Sequence, residues 1–375
     1  MSPGPPEGAV PGARHRHGKA WGPIARLLPL SLALALAILG CQEDNLSDKI
    51  FQLTDKGGWQ VGVDQFGREI ALIPKGADIP EGAKGYPPSQ IVRTPVQRVI
   101  VTSGTYDPSV ITYLGRLDSI LGTSDQLDDV LLPDFRKRYR DGFVTHVGNW
   151  DSLDFETILT LKPDIVLVSS QLTLGKLEEL GIPAAGTYSG LDNGMVTRLR
   201  LFKFLGALYG EEGKSEELVR KVESAFSDIR RRVEGHPKPT IVWGLFFNNR
   251  VLAMSGGYWF SDLMDIAGGD YLFREASDNS RELSLEEFIV RGGKADIYFA
   301  QTLYETGVEN KGDLIRYHPD LARFKSFGEG GTVAIPNKVI FQDPANVDKI
   351  AYAMAALFHP DLFDQNPEGY FHILR

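Results

Sequence analysis

A single cysteine in 375 residues leaves no disulfide framework and no cysteine metal cage. Histidine is sparse too. Beyond the first forty residues only His146, His236, His318, His359 and His372 remain, with no close pair. Carriers of bare zinc or manganese ions need several imidazoles converging with a carboxylate, so a resident metal site is not expected. His146 alone, just before Val147-Gly148, stays a candidate axial ligand. Basic residues never form a long block, and the formal net charge is −9, which removes nucleic acid as a partner. No nucleophile elbow, phosphate-cradling P-loop or GxGxxG fingerprint occurs, so no motif supports an enzyme and no cofactor is expected.

The one cysteine has a telling place. Arg14, Arg16, Lys19 and Arg26 precede an apolar run from Leu27 to Leu39, then Gly40 and Cys41. The run is too short to span a bilayer and matches the apolar core of a signal peptide. Ile38-Leu39-Gly40-Cys41 resembles a bacterial lipobox, which implies a signal peptide over 1–40 and a lipid on Cys41. That predicts an exported protein, lipid-anchored to the cell envelope on its periplasmic side or at the cell surface. Without 1–40 the chain keeps 36 basic and 48 acidic residues. A field this acidic does not gather anions, so an anionic ligand must be held by local groups.

Residues 41–60 read as a tether, and a βα rhythm follows. Arg98 to Thr102 is strand-like, and Asp107-Pro108 suits the start of a helix to about Gly115. Asp154 to Lys162 is helical, and Asp164 to Val168 is a continuous apolar strand of the kind buried on both faces. Residues 74–97, rich in proline and glycine, read as an extended surface connection. Between Glu211 and Val233, Leu218, Val219, Val222, Phe226, Ile229 and Val233 recur every three or four residues, predicting one amphipathic helix roughly 33 Å long. The α/β rhythm then resumes through Thr240–Phe247, Phe260–Ala267, Ala295–Ala300 and Asn346–Phe358.

Several segments together resemble the periplasmic-binding-protein family that serves importers of ferric siderophores, haem and cobalamin. They are Asp64, Gly67, Arg68 and Glu69 followed by Pro95 to Ile100; Val147-Gly148 leading into Asp154-Phe155-Glu156; Leu161 to Val166; and Leu180-Gly181-Ile182-Pro183. Asp262 to Gly269 and Ser284-Leu285-Glu286 with Ala295 to Tyr298 extend the likeness over about residues 61 to 360. The resemblance implies an α/β protein with two Rossmann-like lobes joined by a single long rigid helix, and a ligand cleft between the lobes. The corresponding division is an N-terminal lobe at 61–192, a linking helical segment at 193–236 and a C-terminal lobe at 237–375. It also implies a monomer that binds a small-molecule metal chelate, is not an enzyme, and presents Glu156 and Glu286 to arginines of an ABC permease. Glu287 competes with Glu286 for the second position.

Ligands of open α/β sheets sit beyond the carboxyl ends of strands. Ser103, Tyr106, Asn149 and Trp150 on one lobe, with Arg250, Tyr258, Trp259 and Tyr304 on the other, are therefore the candidate ligand-binding residues. Aromatic rings at turns suit a large flat cargo, and the fork of Arg250 suits an anionic group. Each has a plainer reading as packing under a loop or, for Arg250, as a solvated hairpin residue. Haem-binding relatives often carry tyrosine directly after this Val-Gly, where this chain has Asn149. The primary expectation is an iron complex of siderophore type; a corrinoid, a haem, or a surface capture or sensor role without an importer stay open.

Overall fold

Why the chain forms two α/β layers rather than one follows from where its apolar strands lie. A computed structural model describes residues 49–375 except 103, 105, 188–193, 248–249, 255, 276–280, 302–306 and 365–366. The described residues form one compact unit. An N-terminal sheet contains β1 (Leu53–Asp55), β2 (Gln60–Val63), β3 (Glu69–Pro74) and β4 (Ile91–Thr94), in that order. Here the Pro- and Gly-rich stretch departs from the expected surface connection. Ile91–Thr94 pairs in parallel with β3 because Val92 is apolar and fully buried.

The first lobe is built on β5 (Val99–Thr102), β6 (Ile120–Thr123), β7 (Thr145–His146), β10 (Ile165–Val168) and β11 (Ala184–Gly186). They pair in the order β11-β10-β5-β6-β7, all parallel. Every side chain of Ile165 to Val168 is buried, as expected for a strand with helices on both faces. Helices α1 (Tyr106–Tyr113), α2 (Pro133–Arg140), α3 (Phe155–Leu161) and α4 (Gln171–Glu179) complete it. Two short strands, β8 (Gly148–Asn149) and β9 (Ser152–Leu153), form a hairpin after β7. Asp107 does not cap α1. It lies inside the first turn, fully buried, where its carboxylate accepts the Thr187 hydroxyl at 2.6 Å.

The second lobe holds β12 (Thr240–Phe247), β13 (Arg250–Ala253), β14 (Asp270–Tyr271), β15 (Arg281–Ser284), β16 (Ile297–Gln301), β17 (Thr332–Pro336) and β18 (Phe371–Leu374). Its order is β15-β13-β12-β16-β17-β18, with β14 also on β12. The central β12, β16 and β17 are parallel; β13 runs antiparallel to β12 and to the edge strand β15, and β18 closes the other edge antiparallel to β17. Its helices are α7 (Trp259–Ile266), α8 (Leu285–Gly292), α9 (Lys311–Tyr317) and α10 (Val347–Phe358). The core is aromatic: Trp243 meets Phe260 edge-on at 4.4 Å and Phe299 at 5.7 Å.

Two antiparallel helices join the lobes, α5 (Met195–Tyr209) and α6 (Glu212–Val233). The expected long helix is α6, and it buries Leu218, Val219, Val222, Phe226 and Ile229 along one stripe. Its start is held to the first lobe, where Arg116 bonds Glu211 at 2.6 Å and Lys214 bonds the Leu114 carbonyl at 2.8 Å. Its far half is held to the second lobe, where Lys221 pairs with Asp348 at 3.0 Å and Tyr352 bonds Asp228 at 2.8 Å. Helix α5 runs the other way. The Met195 N–H bonds Asp262 of α7 at 2.7 Å, and Tyr209 meets Ser119 of the first lobe at 2.8 Å. Among the described residues no helix is long and apolar enough to cross a membrane.

Leu218 is fully buried in this brace, so Leu218→Ala leaves a cavity worth about 2–5 kcal/mol. The check is urea unfolding, with the midpoint falling at an unchanged slope.

Candidate functional site

The carboxyl ends of the parallel strands in the first lobe bring a polar group together. After β6, Gln126 donates its side-chain amide to Asn149 Oδ1 at 3.1 Å and lies 3.1 Å from His146 Nε2. Gln126 follows β6, while His146 ends β7 and Asn149 lies in the β8 hairpin just beyond it, so the parallel pairing of β6 with β7 brings the group together. Gly148 explains the sharp exit from β7. Its φ is 86°, and a Cβ there would meet the Ser152 carbonyl oxygen at 2.6 Å. Only glycine permits that turn, which lifts Trp150 into solvent at 63% exposure. Ser170 caps α4, accepting the Thr173 N–H at 3.4 Å.

Asp125 sits at the same edge. Burial lifts its pKa from the ordinary 3.8 to about 6, and nearby Asp129 adds to the rise. The Thr123 hydroxyl and His146 oppose it.

On the second lobe, Arg250 opens β13, is exposed, and pairs with Glu282 at 2.5 Å. Tyr258 precedes α7, half-buried, its ring 5.7 Å from that of Trp259. Trp259 is only 2% exposed and Tyr106 6%. Ser103, Tyr304 and Cys41 lie outside the described residues. Among the described residues no three His, Cys, Asp or Glu gather closely enough to hold a metal ion.

One buried group was not anticipated from sequence. Arg198, on α5, lies between Tyr106 of the first lobe and Trp259 of the second, with its guanidinium carbon 4.2 Å and 4.4 Å from the two ring centres. The signal was present. Arg198 stands among apolar residues in a helix buried nearly all round, where a cation is out of place.

The two expected docking carboxylates occupy equivalent positions. Asp154 caps α3 by accepting the Thr157 N–H at 3.0 Å, and Ser284 caps α8 by accepting the Glu287 N–H at 3.1 Å. Glu156 and Glu286 are each the second residue of their helix and are exposed. Glu287 instead turns toward Arg291 at 3.7 Å.

Comparison with known proteins fits this geometry. The family model described as "Periplasmic binding protein" matches residues 99–323. An uncharacterized lipoprotein of Methanocaldococcus jannaschii is 24% identical over 335 residues, covering 84% of this chain and 83% of its own. The vitamin B12-binding protein of Vibrio campbellii is 21% identical, over 55% of this chain and 71% of its own. Among solved structures, Helicobacter pylori CeuE in a nickel–histidine complex superposes with a TM-score of 0.60 at 16% identity, covering 84% of this chain and 90% of that one.

The raised pKa of Asp125 has a signed consequence. Between pH 4 and 6 the folded state holds a proton that the unfolded chain releases, so stability falls as pH rises through that window. Asp125→Asn removes this fall. The variant should exceed the parent by about 1–3 kcal/mol at pH 7 and lose the advantage below pH 4, as read by thermal melts across pH.

Proposed function

Since this chain belongs to the periplasmic-binding-protein family, we propose that it captures a metal chelate of siderophore type between its lobes and hands it to the permease of an ABC importer. It is a solute-binding protein, not an enzyme. In this reading the signal peptide over 1–40 is removed and lipid on Cys41 holds the protein at the envelope. A tether over 41–60 then leads to lobes at 61–192 and 237–375, linked through 193–236, and the protein works as a monomer.

The observation that carries the reading is the matched pair Glu156 and Glu286. One exposed carboxylate on each lobe stands at the same position of an equally capped helix. Both also lie where a helix N-terminus favours negative charge, which by itself would explain one acid but not their equivalence across lobes. Two separated charges fix orientation on a basic partner without a large buried interface. Tyr106, Asn149, Trp150, Tyr258 and Trp259 are the proposed ligand contacts among the described residues, with Ser103 and Tyr304 beyond them. Arg250 serves in the same set only by leaving Glu282. A corrinoid cargo is the second reading, favoured by the Vibrio relative.

The test reverses both charges, Glu156→Lys with Glu286→Lys. Cellular uptake of the cargo should fall at least tenfold while the purified protein keeps its affinity. Unchanged uptake would remove the docking role and leave a capture or sensor protein.

A further inference from the structure

Helices α3 and α8 each lay one side against their lobe. Ile158 of α3 is fully buried, and so is Phe288 of α8, with Ile289 beside it at 8% exposure. The other side of each helix faces solvent and carries Glu156 with Leu159, and Glu286 with Val290. Leu159 is 47% exposed and Val290 74%. On a helix, residues three or four apart are neighbours, with Cβ atoms about 5–6 Å apart. Each expected docking carboxylate therefore has a bare aliphatic side chain one turn further along the same side.

Neither aliphatic group serves the fold. An exposed helical position accepts alanine, lysine or glutamate readily, and valine is a poorer helix former because its branched Cβ loses rotamer freedom. Scattered apolar residues on a surface are ordinary, so exposure alone identifies nothing. The pairing is what calls for a partner. It recurs on one helix of each lobe, beside two carboxylates at the same position of equally capped helices, neither of which has an ion pair among the described residues. A basic side chain that meets Glu156 or Glu286 brings its own surface over the next turn of the helix. Leu159 and Val290 are then covered, their apolar area leaves water, and the ion pair beside them is shielded from solvent.

We propose that Leu159 and Val290 form the apolar part of the docking surface, and that the membrane-spanning subunits of the importer present, at each of two places, an apolar depression beside a basic side chain. The inference rests on the delivery reading above and names what else the partner must recognise. The carboxylates set approach and orientation. The aliphatic groups supply contact that salt does not screen. A lipid surface is the other apolar partner open to exposed aliphatic residues. The adjacent carboxylates oppose it, because anionic headgroups repel them.

The test uses the full chain in its native cell. A photo-crosslinking phenylalanine analogue is placed in turn at Leu159, at Val290 and, as a control, at Val196, which is 64% exposed on α5. The probes at Leu159 and Val290 should each attach to a membrane-spanning importer subunit, and the probe at Val196 should not. Uptake is then read with labelled ferric citrate, ferric 2,3-dihydroxybenzoate and cyanocobalamin, against cells lacking the chain. Leu159→Ser with Val290→Ser should lower uptake through this chain about tenfold, with thermal melting and solute affinity unchanged. Val196→Ser should leave uptake as it is. Attachment to lipid, attachment from only one of the two positions, equal attachment from Val196, or unchanged uptake in the double variant overturns the inference. If Glu156→Lys with Glu286→Lys still abolishes uptake in that case, the docking reading survives. If neither pair of substitutions changes uptake, or none of the three probes enters through this chain, both fall.

Discussion

The antiparallel pair α5 and α6 is the constraint on which everything else turns. Each helix begins in one lobe and ends in the other: α5 from Asp262 to Ser119, α6 from Arg116 and Leu114 to Tyr352. Their contact is close because Gly206 of α5 leaves no room for a Cβ against Ser215 of α6. A lone helix bends readily along its length. Two packed side by side resist bending, because it would shear an apolar seam that includes Leu205, Leu218 and Val222. The relation between the lobes is therefore set by packing and not by a flexible linker.

Contacts away from the brace narrow the motion further. Gln342 of the second lobe accepts the Leu131 N–H at 2.8 Å and donates to the Asp129 carbonyl at 2.7 Å. Ser109 donates to Asp343 at 2.7 Å and accepts the Ala345 N–H. These bonds tie the amino-terminal part of α10's approach segment to the first lobe beside α1. Any separation of the lobes must break them or pivot about them. Small closing motions are the expectation for such a molecule, with little change expected in the spacing between Glu156 and Glu286. A docking partner that reads both carboxylates then needs some other cue for loading, such as the loops at the strand ends.

Much of this was legible in the sequence because it is periodic or chemically marked. The stripe from Leu218 to Val233 announces α6, and the unbroken apolar run Ile165 to Val168 announces a central parallel strand. Asp154 and Ser284 announce helix starts through the ordinary chemistry of capping. What escaped was decided by tertiary contact. Helix α5 has apolar residues nearly all round, so its sequence shows no face and gives no sign of its partners. β18 and β4 are short segments whose pairing with β17 and β3 fixes them as strands. Asp107 looks like a cap, yet Thr187, eighty residues on, claims its carboxylate. The Gln126, His146 and Asn149 group depends on β6 pairing with β7, which carries Gln126 to a segment twenty residues on and which no local window displays.

Arg198 shows most clearly what the packing of the brace has to accommodate. Removing a guanidinium from water without an anion costs several kcal/mol. Two aromatic faces return about 0.5–2 kcal/mol each, which covers only part of that cost. A stable protein tolerates the remainder where another benefit attaches to the position. On a lobe surface an arginine reaches solvent and a surface partner, as Arg250 does with Glu282. On α5 Arg198 is instead buried, with the Tyr106 and Trp259 rings against it. The strain of an unmet charge is thus stored in the element that sets the distance between the lobes.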